Sequence, residues 1–138
     1  MNTTVRMNVI ATVMRVILGI IFTMHGLDKL QMGLGNTAGW FESIGLPSTL
    51  AYVVALIELL GGIAIIVGLL TRFVSIGYAA IMIGAIVTVK LPGSLIGPNG
   101  YELDLALLAL AIYFIFAEHI GYGVDQWLFR KKSNQEQV

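Results

Sequence analysis

Cysteine is absent from the 138 residues, and charged residues make up only 12% of them. The first absence excludes disulfides, thiolate metal sites, cysteine-held iron–sulfur clusters and thiol relays. The second is far below the roughly 25% typical of a soluble domain. Eight Lys and Arg balance eight Asp and Glu, so there is no basic excess to suggest nucleic acid as a partner. Histidine occurs only as His25 and His119, which fall at opposite ends of apolar runs and so offer no paired axial ligands for a haem. No clustered metal ligands and no glycine-rich dinucleotide motif are evident. Any redox chemistry would therefore belong to a bound small molecule or to a partner protein.

What is present is apolar. Hydrophobic residues are 57% of the chain and mean hydropathy is +0.87. Four apolar runs, about 7–26, 48–69, 72–90 and 101–117, each approach the ~20 residues that cross a bilayer as a helix. The predicted fold is all-α: one domain over 1–138, an integral membrane four-helix bundle with short loops. The first run continues into His25-Gly26 without a small-residue cleavage pattern, so it reads as a span and not as a signal peptide. Between the first two runs, residues 31–48 hold Gly33, Gly35, Gly39, Gly45 and Trp40-Phe41, predicting a loop with one short amphipathic turn at the interface. Residues 91–100 are a second loop by their glycines and prolines. Residues 118–138 form an amphipathic tail containing Arg130-Lys131-Lys132. Ala80-x-x-x-Gly84 is a small-residue pair suited to close helix approach. With the N-terminus inside, Arg6, Arg72, Arg130, Lys131 and Lys132 oppose Lys29 and Lys90, which predicts both termini on the cytoplasmic side.

Ionisable residues inside apolar runs are the candidate functional groups, because charge at membrane depth is costly and faces a protein interior. Two lie deep, Arg15 in the first run and Glu58 in the second. Counted at about 1.5 Å per residue from the cytoplasmic edge, they fall roughly 12 and 18 Å in, close enough to pair. Such a pair would hold a proton, orient a ligand or simply fix two helices. Gly61-Gly62, just beyond Glu58, would leave space beside its carboxylate. His25 and Lys29 are four apart on one helical face. At the mouth of a bundle they suit a ligand oxygen, or else an interfacial histidine beside a snorkelling lysine. Glu102 and Asp104 are two apart and cannot share a helical face, so one is expected to neutralise a lysine and the other to be solvated. His119, beside Glu118, reads as a surface residue.

Arg15-x-x-x-Gly19, His25-Gly26-x-x-Lys29, Gly45-x-Pro47, Glu58-x-x-Gly61-Gly62 with Gly68, Thr71-Arg72 and Glu102 together resemble the DoxX family of small four-helix membrane proteins. The resemblance covers nearly the whole chain up to Gly121 and is strongest to a bacillar subgroup. It implies a multi-pass protein of the bacterial plasma membrane, linked to oxidoreductases that act on quinones. In that subgroup it implies protection against catechols and quinones. On this reading Arg15, His25, Lys29, Glu58 and Glu102 line a polar pocket for a quinone- or catechol-like molecule. The protein would be a membrane component of a redox or detoxification system, working beside a soluble redox or ring-cleaving enzyme and able to form homo-oligomers. The rival reading is a non-enzymatic membrane carrier or an assembly factor, since buried polar groups also mark transport paths.

Overall fold

The computed structural model describes residues 1–128; the Arg130-Lys131-Lys132 run lies outside them. Its elements are α1 (Thr3–Met32), α2 (Leu34–Ser43), α3 (Ser48–Val67), α4 (Thr71–Ala85), a π-helical turn (Ile86–Lys90) and α5 (Glu102–Phe116). A further turn of helix occupies 124–128.

The expected four-helix membrane bundle is corrected here. Among the described residues three helices are long and apolar enough to cross a membrane: Thr3–Met32, Ser48–Val67 and Thr71–Lys90. The fourth apolar run forms α5, whose 15 residues span about 22 Å, short of a hydrocarbon core of about 30 Å. It ends because Ala117 turns to an extended conformation, φ −62° and ψ 136°. The arrangement of four full-length membrane-crossing helices fails with it. The protein is all-α and multi-pass.

Helix α1 is longer than its apolar run at both ends. Asn2 caps its start, accepting from the backbone N–H of Thr4 at 2.7 Å. Gly26 does not end it, because that position is an approach point: a Cβ there would lie 2.7 Å from the backbone N of Leu59. Termination waits for Gly33, at φ 91°. The segment expected to be a loop with one turn is the ten-residue helix α2, whose Ala38 and Phe41 pack on Ala51 of α3.

Helices α1 and α3 run antiparallel in close contact. A Cβ on Gly19 would meet the Gly62 carbonyl oxygen at 2.8 Å, and one on Gly62 would meet Thr23 N at 2.7 Å. These contacts place residue 19 opposite 62–66 and residue 26 opposite 59. The main core then forms between α1, α3, α4 and α5 from Leu18, Phe22, Ile65, Tyr78, Met82, Leu107 and Phe114. Phe22 and Tyr78 stack with ring centroids 3.6 Å apart.

Candidate functional site

The α1–α3 register separates the two deep charges. Glu58 lies level with residues 26–29 and Arg15 level with 68–70, about twelve residues or roughly 18 Å apart along the axis. The depths counted from sequence brought the two together because α1, which begins at Thr3, overhangs the end of α3 at Val67 by about 14 residues, or roughly four turns. Arg15 and Glu58 are therefore not partners, and each organises its own end of the bundle.

At one end, Arg15 is 2% exposed and is held by backbone. Its Nη1 donates to the Ile120 carbonyl at 2.9 Å and its Nη2 to the Tyr122 carbonyl at 2.5 Å. Gly68 and Gly123 make room for the guanidinium: a Cβ on Gly68 would lie 2.7 Å from Arg15 Nη1 and 2.8 Å from Gly123 Cα. Gly68 is also left-handed, φ 74°, so the position demands glycine twice over. Asp125, 7% exposed, accepts from the backbone N–H of Leu70 at 2.8 Å and of Thr71 at 3.0 Å, capping α4 from 54 residues away. The carboxylate also lies within electrostatic reach of Arg15. Tyr122 N–H donates to Thr12 Oγ1 at 2.8 Å, and Arg72 Nη2 donates to the Ala117 carbonyl at 3.0 Å. The segment 117–125 is thus a strap stitched across this end. His119, half-buried, contributes its carbonyl as acceptor for Tyr113 Oη at 3.4 Å.

At the other end lies a cavity of about 470 Å³. His25, Lys29 and Glu58 line it together with Lys90 and Asp104. Its walls are otherwise apolar: Trp40 and Phe41 of α2, Leu50, Val53, Val54 and Ile57 of α3, and Leu103 and Leu107 of α5. Of the five residues expected to form one pocket, the structure brings His25, Lys29 and Glu58 together. Arg15 belongs to the strap, and Glu102 is exposed and does not border the cavity.

The ion pairing follows from this placement. Lys29 Nζ lies 2.6 Å from Glu58 Oε2, with side-chain exposures of 18% and 4%. Lys29 thus neutralises the Glu58 carboxylate within the cavity wall. Lys90 Nζ pairs with Asp104 Oδ2 at 2.5 Å, here as a directed hydrogen bond, and also donates to the Gly100 carbonyl at 3.2 Å. Of the Glu102 and Asp104 carboxylates, Asp104 is the one that neutralises a lysine.

Small residues build this space, though not the expected ones. Gly61 and Gly62 are filled from outside, by Val74 and Tyr78 and by α1 respectively. Tyr78 Oη sits over Gly61 and donates to the Glu58 backbone carbonyl at 3.2 Å. The open face belongs to α4, where Gly77, Ala80, Gly84 and Ala85 line the cavity and a Cβ on Gly84 would meet nothing within 4 Å. Ala80-x-x-x-Gly84, read as a helix-packing pair, faces empty space. The π-helical turn widens the end of this helix and carries Thr88, Val89 and Lys90 to the cavity rim. Sequence reasoning missed Asp125, a single acid in a polar tail, and the cavity walls contributed by Trp40 and Phe41. The signal it had for the wall was the small-residue spacing on α4.

A sequence profile described as DoxX matches residues 10–91. A Bacillus subtilis protein named "Putative oxidoreductase CatD" is 45% identical over 121 residues, 88% of each chain. An uncharacterized membrane protein of Mycobacterium tuberculosis is 28% identical over 130 residues, covering 85% of this chain and 80% of its own. An uncharacterized protein of Haemophilus influenzae is 32% identical over 127 residues, covering 86% and 90%. No solved structure matches.

Proposed function

The chain belongs to the DoxX family, and from that premise we propose that it is the membrane component of an oxidoreductase or detoxification system, holding an aromatic diol or quinone in the cavity at the Glu58 end. The observation that carries the proposal is the cavity's make-up. About 470 Å³ of mostly apolar space with a few polar groups on its wall is the usual design for a small aromatic ligand. Phe41 and Trp40 offer ring contacts on the α2 side, and Gly84 leaves the α4 side open. His25, Lys29 and Glu58 bind and orient the ring oxygens. The ring itself supplies the redox chemistry.

The test fills the cavity. Gly84→Phe places a ring in space that is open, with no backbone to push aside, so the protein should stay folded. Titration of wild type and G84F in nanodiscs with catechol and with a short-chain quinone, followed by Trp fluorescence, should show binding in the first and at least a tenfold loss in the second. Equal affinity of the two proteins would place the ligand elsewhere.

A further inference from the structure

The cavity opens in two directions, onto different surroundings. One opening is the polar rim, where His25, Thr88 and Lys90 reach the end of the bundle. The other lies on the flank, between α3 and α4. These helices touch where a Cβ on Gly61 would lie 2.8 Å from Val74 Cγ1 and one on Gly77 would lie 3.3 Å from Ile57 Cγ2. Beyond that point they part, and a Cβ on Gly84 meets nothing within 4 Å. One turn past the Ile57–Gly77 contact, Val53 and Ala80 stand level across the gap, and both border the cavity. Val53 is 50% exposed, and Ala80 is exposed too. Ala80 is the tenth residue of the 20-residue Thr71–Lys90 span, so this opening faces hydrocarbon and not water. We infer that the cavity is loaded from the bilayer through the gap between Val53 and Ala80, and that its ligand is a ring whose apolar tail lies in that gap.

The inference rests on the cavity being the ligand site, as proposed above, and adds a route of entry and a tail to the ligand. Volume leaves room for both parts. An apolar cavity of about 150 Å³ takes one benzene ring, so about 470 Å³ holds a ring and several tail carbons. The walls divide in the same way. Along the gap, α4 presents Gly77, Ala80, Ile81, Gly84 and Ala85, none with a polar side chain. His25 and Lys29 stand on α1, with Lys90 and Asp104 at the rim. A ring held by those groups, with its tail led out between Val53 and Ala80, keeps every tail carbon in hydrocarbon. The same tail led out over the rim would meet water and lose that gain. An acyl chain of the bilayer is the competing occupant of the gap, and it would leave the ring without a tail path.

The experiment compares one ring with and without a tail. Full-length protein in phosphatidylcholine nanodiscs is titrated with 2-methyl-1,4-naphthoquinone and with its 3-decyl derivative, followed by Trp fluorescence. Each variant is read against wild type in the same bilayer, so partition of the tailed ligand into lipid cancels. Ala80→Phe puts a ring in the gap and should weaken the tailed ligand at least about tenfold more than the bare one. Ile83→Phe, on an exposed residue of the same helix that does not border the cavity, should change neither. If A80F fails to fold, Ala80→Leu narrows the gap less severely and is read in the same way. Equal weakening of both ligands by the Ala80 variant, weakening of neither, or an equal loss in I83F would overturn the lateral gap while leaving the cavity reading intact. Binding of the bare ring alone by wild type would do the same. Binding of neither ligand by wild type would overturn both.

Discussion

At the Arg15 end of the bundle a buried charge is matched to backbone, and at the Glu58 end charge is matched to charge around a cavity. Arg15 meets the carbonyls of Ile120 and Tyr122 in a space closed by Gly68 and Gly123. Glu58 meets Lys29, which sits beside open volume. Carbonyls fixed in a strap leave an arginine one arrangement, so the first site is a fastening. An ion pair at the wall of an open cavity has a second arrangement available once a ligand enters, so the second site can answer to a ligand. The same membrane cost of charge is met by two designs, one rigid and one responsive.

The largest effect should come from cutting the fastening. Arg15→Leu would leave two carbonyls and the Asp125 carboxylate without their cation, and should cost about 3–5 kcal/mol of stability. Thermal melting in detergent measures it, and ligand affinity of the surviving folded fraction should be unchanged. A destabilised variant that also lost ligand binding would couple the two ends and break the comparison. Next in size is the ion pair. Glu58→Leu should cost about 2–3 kcal/mol, because the stranded Lys29 is only partly able to reach water. Adding Lys29→Met should recover most of that loss, whereas adding Arg15→Leu should simply sum with it, since sites so far apart behave independently. Recovery by R15L instead of K29M would restore the pairing that the helix register rules out.

The helical content and the membrane setting were legible because both are local: long apolar runs, glycine stops and Pro47 are properties of short windows. Bounds and pairing were not. Gly26 reads as a stop until Leu59 is seen against it, and only then does α1 extend to Met32. That longer α1 shifts the register with α3, which moves Arg15 from Glu58 to Gly68. His25, Lys29 and Glu58 were identifiable as candidates because charge in an apolar run stands out. Asp125 did not, since it lies where an acid looks solvated and its partners are remote in sequence, and of Glu102 and Asp104 the spacing said that one pairs with a lysine but not which. The Ala80–Gly84 spacing was visible, but small residues permit either a close helix or a cavity. Only the position of α2 and α5 decides between them.

The two glycine sets give a smaller contrast of the same kind. Gly62→Ala sets a methyl against the α1 backbone, Thr23 N at 2.7 Å, and should cost about 1–3 kcal/mol by overpacking. Gly84→Ala faces open space and should be neutral, or slightly stabilising from the gain in helix propensity. Melting temperatures of the two variants measure the difference. A loss at Gly84 equal to that at Gly62 would mean the cavity face is packed.

The smallest effect sharpens the responsive end itself. His25 borders the cavity one helical turn before Lys29, but its side chain is exposed, unlike the carboxylate of Glu58. A hydrogen bond from an exposed imidazole to a ligand oxygen competes with water. Its net worth is therefore about 0.5–1.5 kcal/mol, not the larger penalty of a stranded buried group. His25→Phe should leave the melting temperature unchanged and weaken diol and dione alike by about three- to tenfold, since the imidazole can donate to either. Titration of wild type and H25F with catechol and with a short-chain quinone measures it. Unchanged affinity for both ligands would take the imidazole out of the site.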